Sequence, residues 1–233
     1  MNFKIVETKY GKIYINVNDR HQYPALQNSI IPHIDSEIQN ILSILKTLNE
    51  DIVFVDAGAN AGLITIPVAS HICGQVYSYE PQKTMFEYLS YSINLNNLKN
   101  VKAFNLGLGD KNEYMKVPSI DYNRRRDFGN VVLKPLSSKG DLIEVVKLDC
   151  EISKLDFLKI DVERMEYNVL LGAENLIDTY RPWCWIEYIR SDLKQLVAFF
   201  KNKKYKVYYA EKRSPNIVAS PSGETFDWFG DEL

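Results

Sequence analysis

The sequence predicts an α/β fold with a mostly parallel, seven-stranded sheet, and three observations support this. Short apolar runs such as residues 52–55 are typical of strands that are buried on both faces. Stretches with apolar residues three and four apart follow these runs and are typical of helices. When strands and helices alternate, the strands pair in parallel through right-handed crossovers. We expect a C-terminal antiparallel hairpin and an N-terminal β-hairpin extension to complete the fold.

The elements follow in chain order. Residues 3–17 alternate apolar and polar around Gly11, which predicts the N-terminal hairpin. A helix capped by Asp35 or Ser36 leads into the strand at residues 52–55. The next helix should begin near Ile64 or Thr65, because Pro67 is unfavourable deep inside a helix. Further strands are expected at 75–79, 101–106, 155–160 and 183–186, with helices at 82–94, 165–177 and 193–201. The closing antiparallel pair is expected at 205–209 and 216–219, and a short strand at 130–133.

Length and composition are those of one ordinary globular domain. The 233 residues can form a single core, with residues 1–50 as an extension and 51–233 as the main fold. The net charge of −2 offers no basic excess for a phosphate backbone, which disfavours nucleic acid as a partner. Three widely spaced cysteines indicate reduced thiols and a cytoplasmic location rather than a disulfide framework or zinc site. No apolar run is long enough for a membrane span. The sequence leaves the oligomeric state open.

A glycine turn after the first buried strand is the best candidate for a ligand site. In D-A-G-A-N-A-G, Asp56 ends the strand and Gly58 and Gly62 bracket the turn. A dinucleotide site with the pattern G-x-G-x-x-G would need its middle glycine where Asn60 stands and its third where Leu63 stands, and its pyrophosphate would be repelled by Asp56. A cationic amino-acid end would be attracted to Asp56, and S-adenosylmethionine carries one. The turn therefore predicts a methyl-donor loop made by Asp56, Gly58, Ala59, Asn60 and Gly62, although an ordinary strand-to-helix turn is an alternative.

Two residues further along could complete a nucleoside site. Glu80 ends the second buried strand, where a carboxylate can accept both hydroxyls of a ribose. Asn105 ends the third strand, and its amide could pair with the edge of an adenine ring. Asn105 could equally be a turn residue before Gly107.

Acidic residues follow the next two buried strands. Lys159, Asp161 and Glu163 end one of them, in K-I-D-V-E, and Glu187 ends the other. Converging carboxylates raise one another's pKa and can provide a general base. We expect Asp161 to accept a proton with Glu187 as its partner and Lys159 tuning the charge. Asp161, Glu163 and Glu187 could instead hold Mg²⁺, which takes oxygen ligands. The structural alternative is a helix start beside Glu163, with Lys159 neutralising Asp161.

Together these motifs resemble those of the FkbM family of S-adenosylmethionine-dependent methyltransferases. The resemblance rests on D-A-G-A-N-A-G, Y-E-P, L-K-I-D-V-E and the strand-ending I-E-Y, and covers residues 52–187, with N-I-V-A-S-P resembling the closing strand. It implies a Rossmann-like class I methyltransferase fold and O-methylation, most often of sugar or polyketide hydroxyls. It also implies that the glycine loop holds the donor, Glu80 the ribose, and Asp161 with Glu163 a second acidic motif.

One position departs from the family pattern. The family usually continues K-I-D-V-E with glycine, and this chain has Arg164 there. A guanidinium at that place could bind an anionic acceptor or point into solvent. The departure bears on the acceptor rather than on the donor.

Other functions remain as alternatives. A methyltransferase acting on nucleobase nitrogens is disfavoured, because D-V-E-R stands where a D/N-P-P-Y/F motif would be expected. A donor-binding module that transfers no methyl group, or a methyltransferase acting on a non-sugar small molecule, stays open. Arg124, Arg125 and Arg126 lie in the polar stretch 119–136, which predicts either an acceptor-facing lid or a solvated surface.

Overall fold

A seven-stranded sheet organises the computed structural model of the chain, which describes residues 2–27, 32–212 and 214–233, with the backbone alone at 32 and 33. Five of its strands run parallel to one another: β3 (Ile52–Ala57), β4 (Gly74–Tyr79), β5 (Val101–Phe104), β9 (Phe157–Ile160) and β10 (Trp183–Glu187). Strands β11 (Lys206–Tyr209) and β12 (Asn216–Ser220) form the antiparallel edge. The order is β11-β12-β10-β9-β3-β4-β5, with all pairs from β10 to β5 parallel. The predicted α/β fold class is therefore confirmed.

Two smaller sheets accompany the main one. The N-terminal hairpin consists of β1 (Phe3–Thr8) and β2 (Gly11–Asn16). A three-stranded sheet in the order β6-β8-β7 contains β6 (Gly107–Leu108), β7 (Glu113–Val117) and β8 (Asp141–Val146). The sequence predicts the hairpin but not β7 and β8. The strand expected at 130–133 is wrong, because those residues run as irregular chain, with Leu133 packed against Val117, Ile143 and Val145 of the small sheet.

Helices cover both faces of the main sheet. The first four are α1 (Gln22–Gln27), α2 (Pro32–Leu45), α3 (Thr65–His71) and α4 (Lys83–Leu95). The others are α5 (Leu148–Glu151), α6 (Glu166–Gly172), α7 (Glu174–Tyr180) and α8 (Leu193–Asn202). Helix α3 begins at Thr65, as Pro67 requires. Helix α2 begins before its predicted caps, and the expected helix at 165–177 is divided because Ala173 leaves the helical conformation.

Alternation along each strand creates two apolar cores. Phe54, Val76, Phe157 and Trp185 point to one face, where they pack against α2, α3, α4 and the N-terminal hairpin. Val55, Leu158, Ile160 and Ile186 point to the other, where α6, α7 and α8 cover them. The strands are thus buried on both sides, and their polar residues concentrate at the carboxyl ends. No helix in the described part of the chain has the length and apolarity needed to cross a membrane.

Candidate functional site

One large cleft opens at the carboxyl ends of the parallel strands, where α/β folds place their ligands. It encloses about 1170 Å³ of space, including the part open to solvent, which is ample for a small ligand. Its floor comes from the loop after β3, the end of β4 and the ends of β9 and β10. Its roof comes from residues 119–136, here called the strap, and from α1 and α2.

The loop after β3 has the backbone shape that the glycine pattern predicts. Gly58 has φ of 81°, and a Cβ there would lie 1.8 Å from the carbonyl oxygen of Asp161. A side chain at this position would therefore collide with the end of β9. Asn60 also lies in the left-handed region, with φ of 50°, and its own side-chain oxygen accepts a hydrogen bond from Ala61 N. Gly58, Ala59 and Asn60 line the cleft.

Asp56 occupies a different place from the one predicted. Its side chain is fully buried beneath the loop and is not part of the cleft lining. One oxygen accepts a 2.7 Å hydrogen bond from Thr65 Oγ1, and the other lies 3.3 Å from Lys159 Nζ. The carboxylate therefore anchors the loop to β9 and α3. Direct contact with a ligand cation, as the sequence suggested, has no support in this placement.

Glu80 lies in the cleft wall with both carboxyl oxygens engaged. Asn60 N donates to one oxygen and Gln82 N donates to the other, each at 2.8 Å. These bonds join the glycine loop to the end of β4. Burial raises the pKa of Glu80 to about 7, against the opposing effect of the two backbone N–H groups. Each oxygen retains a lone pair, so Glu80 can still accept hydrogen bonds from hydroxyl groups.

Asn105 supports the chain after β4. Its side-chain nitrogen donates to the carbonyl oxygens of Glu80 and Pro81, at 2.9 and 3.1 Å, and it is not part of the cleft lining. Both amide hydrogens of Asn105 are therefore used in hydrogen bonds to backbone carbonyl oxygens. The predicted role in binding an adenine edge has no support in this placement. Leu106, Gly107 and Leu108 line that side of the cleft instead.

The carboxyl ends of β9 and β10 bring the predicted acidic residues together. Asp161, Glu163 and Glu187 each have a carboxyl oxygen within 4.8 Å of the others, and all three line the cleft. Lys159 Nζ is buried and lies 3.5 Å from Asp161 and 3.3 Å from Asp56. Burial alone would lower the pKa of Lys159, but these carboxylates outweigh it and raise the pKa. Lys159 is thus a fixed cation.

Glu187 carries a carboxyl group with a strongly raised pKa. Burial, and then the negative charges of Asp161 and Glu163, raise its pKa to about 8. Glu163 pairs with Arg190, which also donates to Asn130 of the strap. Two of the three carboxylates therefore already have cationic partners within the protein. This donor set suits a divalent cation poorly, because Mg²⁺ would compete with Lys159 and Arg190 for the same oxygens.

Several cleft residues escape prediction from the sequence. Glu37 of α2 and Gln22 of α1 reach the cleft from the N-terminal extension, and Asp127 reaches it from the strap. Burial raises the pKa of Glu37 to about 7. The strap is held because Gln82 Nε2 donates to the Phe128 carbonyl and Tyr122 donates to Gln82 Oε1. None of these residues stands in a local motif, so only the tertiary fold reveals them.

The arginines of the strap do not line the cleft. Arg124, Arg125 and Arg126 are exposed, and Arg124 pairs with Asp121. Arg126 uses its backbone to bind residues 18 and 20 of the N-terminal segment. Arg164 is exposed as well. These placements favour the solvated-surface alternative for the arginine run, while the strap itself does cover the cleft.

Comparison with known proteins agrees with this architecture. The family model described as the methyltransferase FkbM domain matches residues 56–207, which is well over half of the chain. A search of curated proteins gives no significant match.

Solved structures share the fold at low sequence identity. Methyltransferase FkbM from Methylobacillus flagellatus superposes with a TM-score of 0.53 at 19% identity, over 72% of this chain and 43% of that one. TYW2 from M. jannaschii, solved with AdoMet, superposes with a TM-score of 0.53 at 16% identity, over 94% of this chain and 84% of that one. TYW2 from P. horikoshii, solved with MeSAdo, superposes with a TM-score of 0.52 at 12% identity, over 94% of this chain and 70% of that one. The chain thus spans less than half of the Methylobacillus protein.

The fold, the cleft at the strand ends and the family match agree with the resemblance drawn from the motifs. The chain belongs to the FkbM methyltransferase family, whose fold is that of the class I methyltransferases.

Proposed function

We propose that this protein transfers a methyl group from S-adenosylmethionine to a hydroxyl group, on a sugar or glycan. The observation that carries the proposal is the carboxyl group of Glu187, which shares one cleft with the glycine loop and Glu80. A hydroxyl group must lose its proton during methylation, and Glu187 is a carboxyl whose pKa lies close to neutrality.

Different residues of the cleft would bind the donor, accept the proton and orient the acceptor. Gly58, Ala59 and Asn60 would hold the donor, and Glu80 would accept hydrogen bonds from its ribose. When bound, the donor supplies an electrophilic methyl group, whose bond to sulfur breaks with the electron pair staying on sulfur. Glu187 would accept the hydroxyl proton, while the strap and α2 exclude water and orient the acceptor. Lys159 would hold the Asp161 carboxylate in place through their ion pair.

This assignment exchanges the roles first given to two residues. The motifs suggested Asp161 as the proton acceptor with Glu187 as its partner. In the structure Asp161 is partly exposed and paired with the Lys159 ammonium group, whereas Glu187 is more buried and has no cationic partner among the described side chains. Glu187 is therefore the better base.

The test is methyl transfer to a panel of sugars and glycans, detected by mass spectrometry as the gain of one methylene mass. We expect Glu187→Gln to reduce turnover by roughly 10²–10⁴, the usual size of a general-base contribution, with donor affinity unchanged. If Asp161→Asn reduced turnover more than Glu187→Gln does, Asp161 rather than Glu187 would be the general base. Loss of activity in EDTA with recovery in Mg²⁺ would contradict the metal-free account.

The acceptor class is tested separately. The net charge of −2 favours an uncharged sugar over a polyanion, so RNA and non-sugar alcohols belong in the same panel. Methylated RNA with unmodified sugars would overturn the glycan assignment. Donor binding without transfer to any acceptor would favour the donor-binding module.

A further inference from the structure

A second cavity, here called the side cavity, opens beside the cleft between α2, the ends of β10 and β12, and the chain that joins β11 to β12. It encloses about 510 Å³ of space, including the part open to solvent, which is within the size range of small-ligand sites. Its lining includes Glu37, Trp185, Glu211, Lys212, Ser214 and Asn216. Glu37 lines the cleft as well, so the two cavities adjoin at this residue.

The side cavity begins beside the proposed general base. Glu187 of β10 and Asn216 of β12 stand directly opposite each other in the antiparallel pair, where Cβ atoms lie roughly 4.5–5.5 Å apart. Each is two residues from a side chain in the apolar core beneath α2, Trp185 and Val218 respectively, so both point towards α2. Glu187 lines the cleft and Asn216 lines the side cavity. A molecule whose hydroxyl group meets Glu187 therefore has the side cavity as its neighbour.

The order of the strands sets the direction in which the acceptor extends. The glycine loop follows β3 and Glu80 follows β4, whereas Glu187 ends β10, with β9 between β10 and β3. In methyl transfer the attacking oxygen must lie in line with the methyl carbon and the sulfur. The rest of the acceptor therefore points away from the donor. The side cavity, at β10 and β12, lies on that far side of the proposed base.

The fold holds the walls of the side cavity in place. The Glu211 carboxylate accepts hydrogen bonds from Ser36 Oγ and Asn40 Nδ2, which ties α2 to the chain after β11. Tyr188 N donates to the Pro215 carbonyl at 2.9 Å, which ties the chain before β12 to the chain after β10. A cavity with walls fixed in advance loses little conformational entropy when a ligand binds.

The lining of the side cavity suits a sugar ring. Glu37, Ser214 and Asn216 bring carboxylate, hydroxyl and amide groups, all of which form hydrogen bonds with sugar hydroxyls. Pro215 adds apolar surface. A sugar ring presents both hydroxyl groups and apolar C–H faces, so it matches this mixture.

We propose that the side cavity binds a second sugar unit of the acceptor, next to the unit whose hydroxyl group is methylated at Glu187. The inference rests on the proposed function and narrows its acceptor class to oligosaccharides and glycans of at least two units. A single sugar would leave the side cavity empty and would lose the hydrogen bonds available there.

Methyl transfer to matched pairs of acceptors tests the inference. The probes are the methyl glycosides of glucose, galactose, mannose and rhamnose, each paired with a disaccharide that contains the same sugar. We expect kcat/KM for the disaccharide of a methylated pair to exceed that of its single sugar by about tenfold or more, which corresponds to one or two hydrogen bonds. Equal kcat/KM values for the two members would overturn the inference.

Lys212→Trp tests the place of the second unit. Lys212 is exposed at the side cavity, where an indole ring would obstruct the second sugar. The ratio of kcat/KM between disaccharide and single sugar should fall to about one. Lys194→Trp is the matched control, because Lys194 lies exposed on α8, which covers the opposite face of the sheet. It should keep the wild-type ratio.

A wild-type ratio in Lys212→Trp would overturn the inference, since the second sugar would then bind elsewhere. Failure of the proposed function gives a different result. A wild-type protein that binds S-adenosylhomocysteine but methylates none of these sugars would overturn the proposed glycan acceptor itself.

Discussion

At the scale of single residues, the position of Glu187 gives a prediction about stability. Its ordinary pKa is 4.5, and in the folded protein it is raised to about 8. Between these values the unfolded chain loses the proton first, so folding becomes less favourable as pH rises. Below about pH 4 the group is protonated in both states and imposes no penalty.

Replacing Glu187 by Gln should therefore stabilise the protein at pH 8 and leave its stability unchanged at pH 4. Urea unfolding at the two pH values measures the difference, with the exposed Glu87→Gln as control. Equal effects of Glu187→Gln at both pH values would show that its pKa is not raised.

Arg164 gives a second prediction at this scale. Its φ of 75° is unfavourable for a residue with a side chain, by roughly 1–2 kcal/mol, and glycine is usual at this place in the family pattern. Glycine loses about 0.5–1 kcal/mol of backbone freedom on folding, which offsets part of the gain. Arg164→Gly should therefore match or exceed the wild-type melting temperature, whereas Arg164→Val should lower it.

The control for this pair is Ala198→Gly, at an exposed position of α8, which should cost about 1 kcal/mol. Scanning calorimetry of the three variants separates backbone strain from a general effect of glycine. Equal destabilisation by Arg164→Gly and Ala198→Gly would contradict the strain at Arg164.

Single residues also mark the limit of prediction from the sequence. The spacing of Asp56, Gly58 and Glu80 is visible in the chain, and Gly58 and Glu80 do line the cleft. The sequence could not show that Lys159 and Thr65 would draw Asp56 below the loop. Nor could it show that the side-chain amide of Asn105 would donate its hydrogen bonds to backbone carbonyls. Local motifs specify which residues meet, but the hydrogen-bond partners come from distant parts of the chain.

At the scale of elements, the strap forms one wall of the cleft. The side chain of Phe128, a strap residue, is fully buried. The backbone carbonyl of Phe128 accepts a hydrogen bond from the side chain of Gln82, which is two residues after Glu80. Removing the ring should cost about 3–5 kcal/mol of packing and release the strap from the cleft.

Phe128→Ala should therefore lower the melting temperature and weaken S-adenosylhomocysteine binding. Leu136→Ala, at an exposed position of the same strap, should do neither. Thermal unfolding and calorimetric titration of both variants make the comparison. Unchanged ligand affinity in a folded Phe128→Ala protein would show that the strap does not shape the donor site.

Elements were predictable where their apolar residues repeat regularly. The buried strands β3, β4, β9 and β10 and the helices α4 and α8 follow the expected pattern closely. Strands β7 and β8 lie outside the main sheet and carry charged residues that are only partly buried in β7 and exposed in β8, so their apolar alternation is weak. Helix α1 has six residues, and its start depends on the Asp19 cap rather than on periodicity.

At the scale of the whole molecule, the fold brings three separate stretches of chain to one cleft. The parallel sheet supplies the floor, while the N-terminal extension and the strap supply the roof. The sheet and its order follow from the alternation of strands and helices and from the family motifs. The roof follows from long-range contacts between residues 16–22 and 119–136, for which no local pattern exists.

The central claim is that the cleft at the strand ends binds the methyl donor through the glycine loop and Glu80. Calorimetric titration with S-adenosylhomocysteine tests it most directly, with NAD as the competing ligand and the exposed Glu87→Ala as control. We predict one bound S-adenosylhomocysteine per chain, weakened at least about tenfold in Glu80→Ala by the loss of charged hydrogen bonds. Binding of NAD in preference to S-adenosylhomocysteine, or unchanged affinity in Glu80→Ala, would contradict the claim.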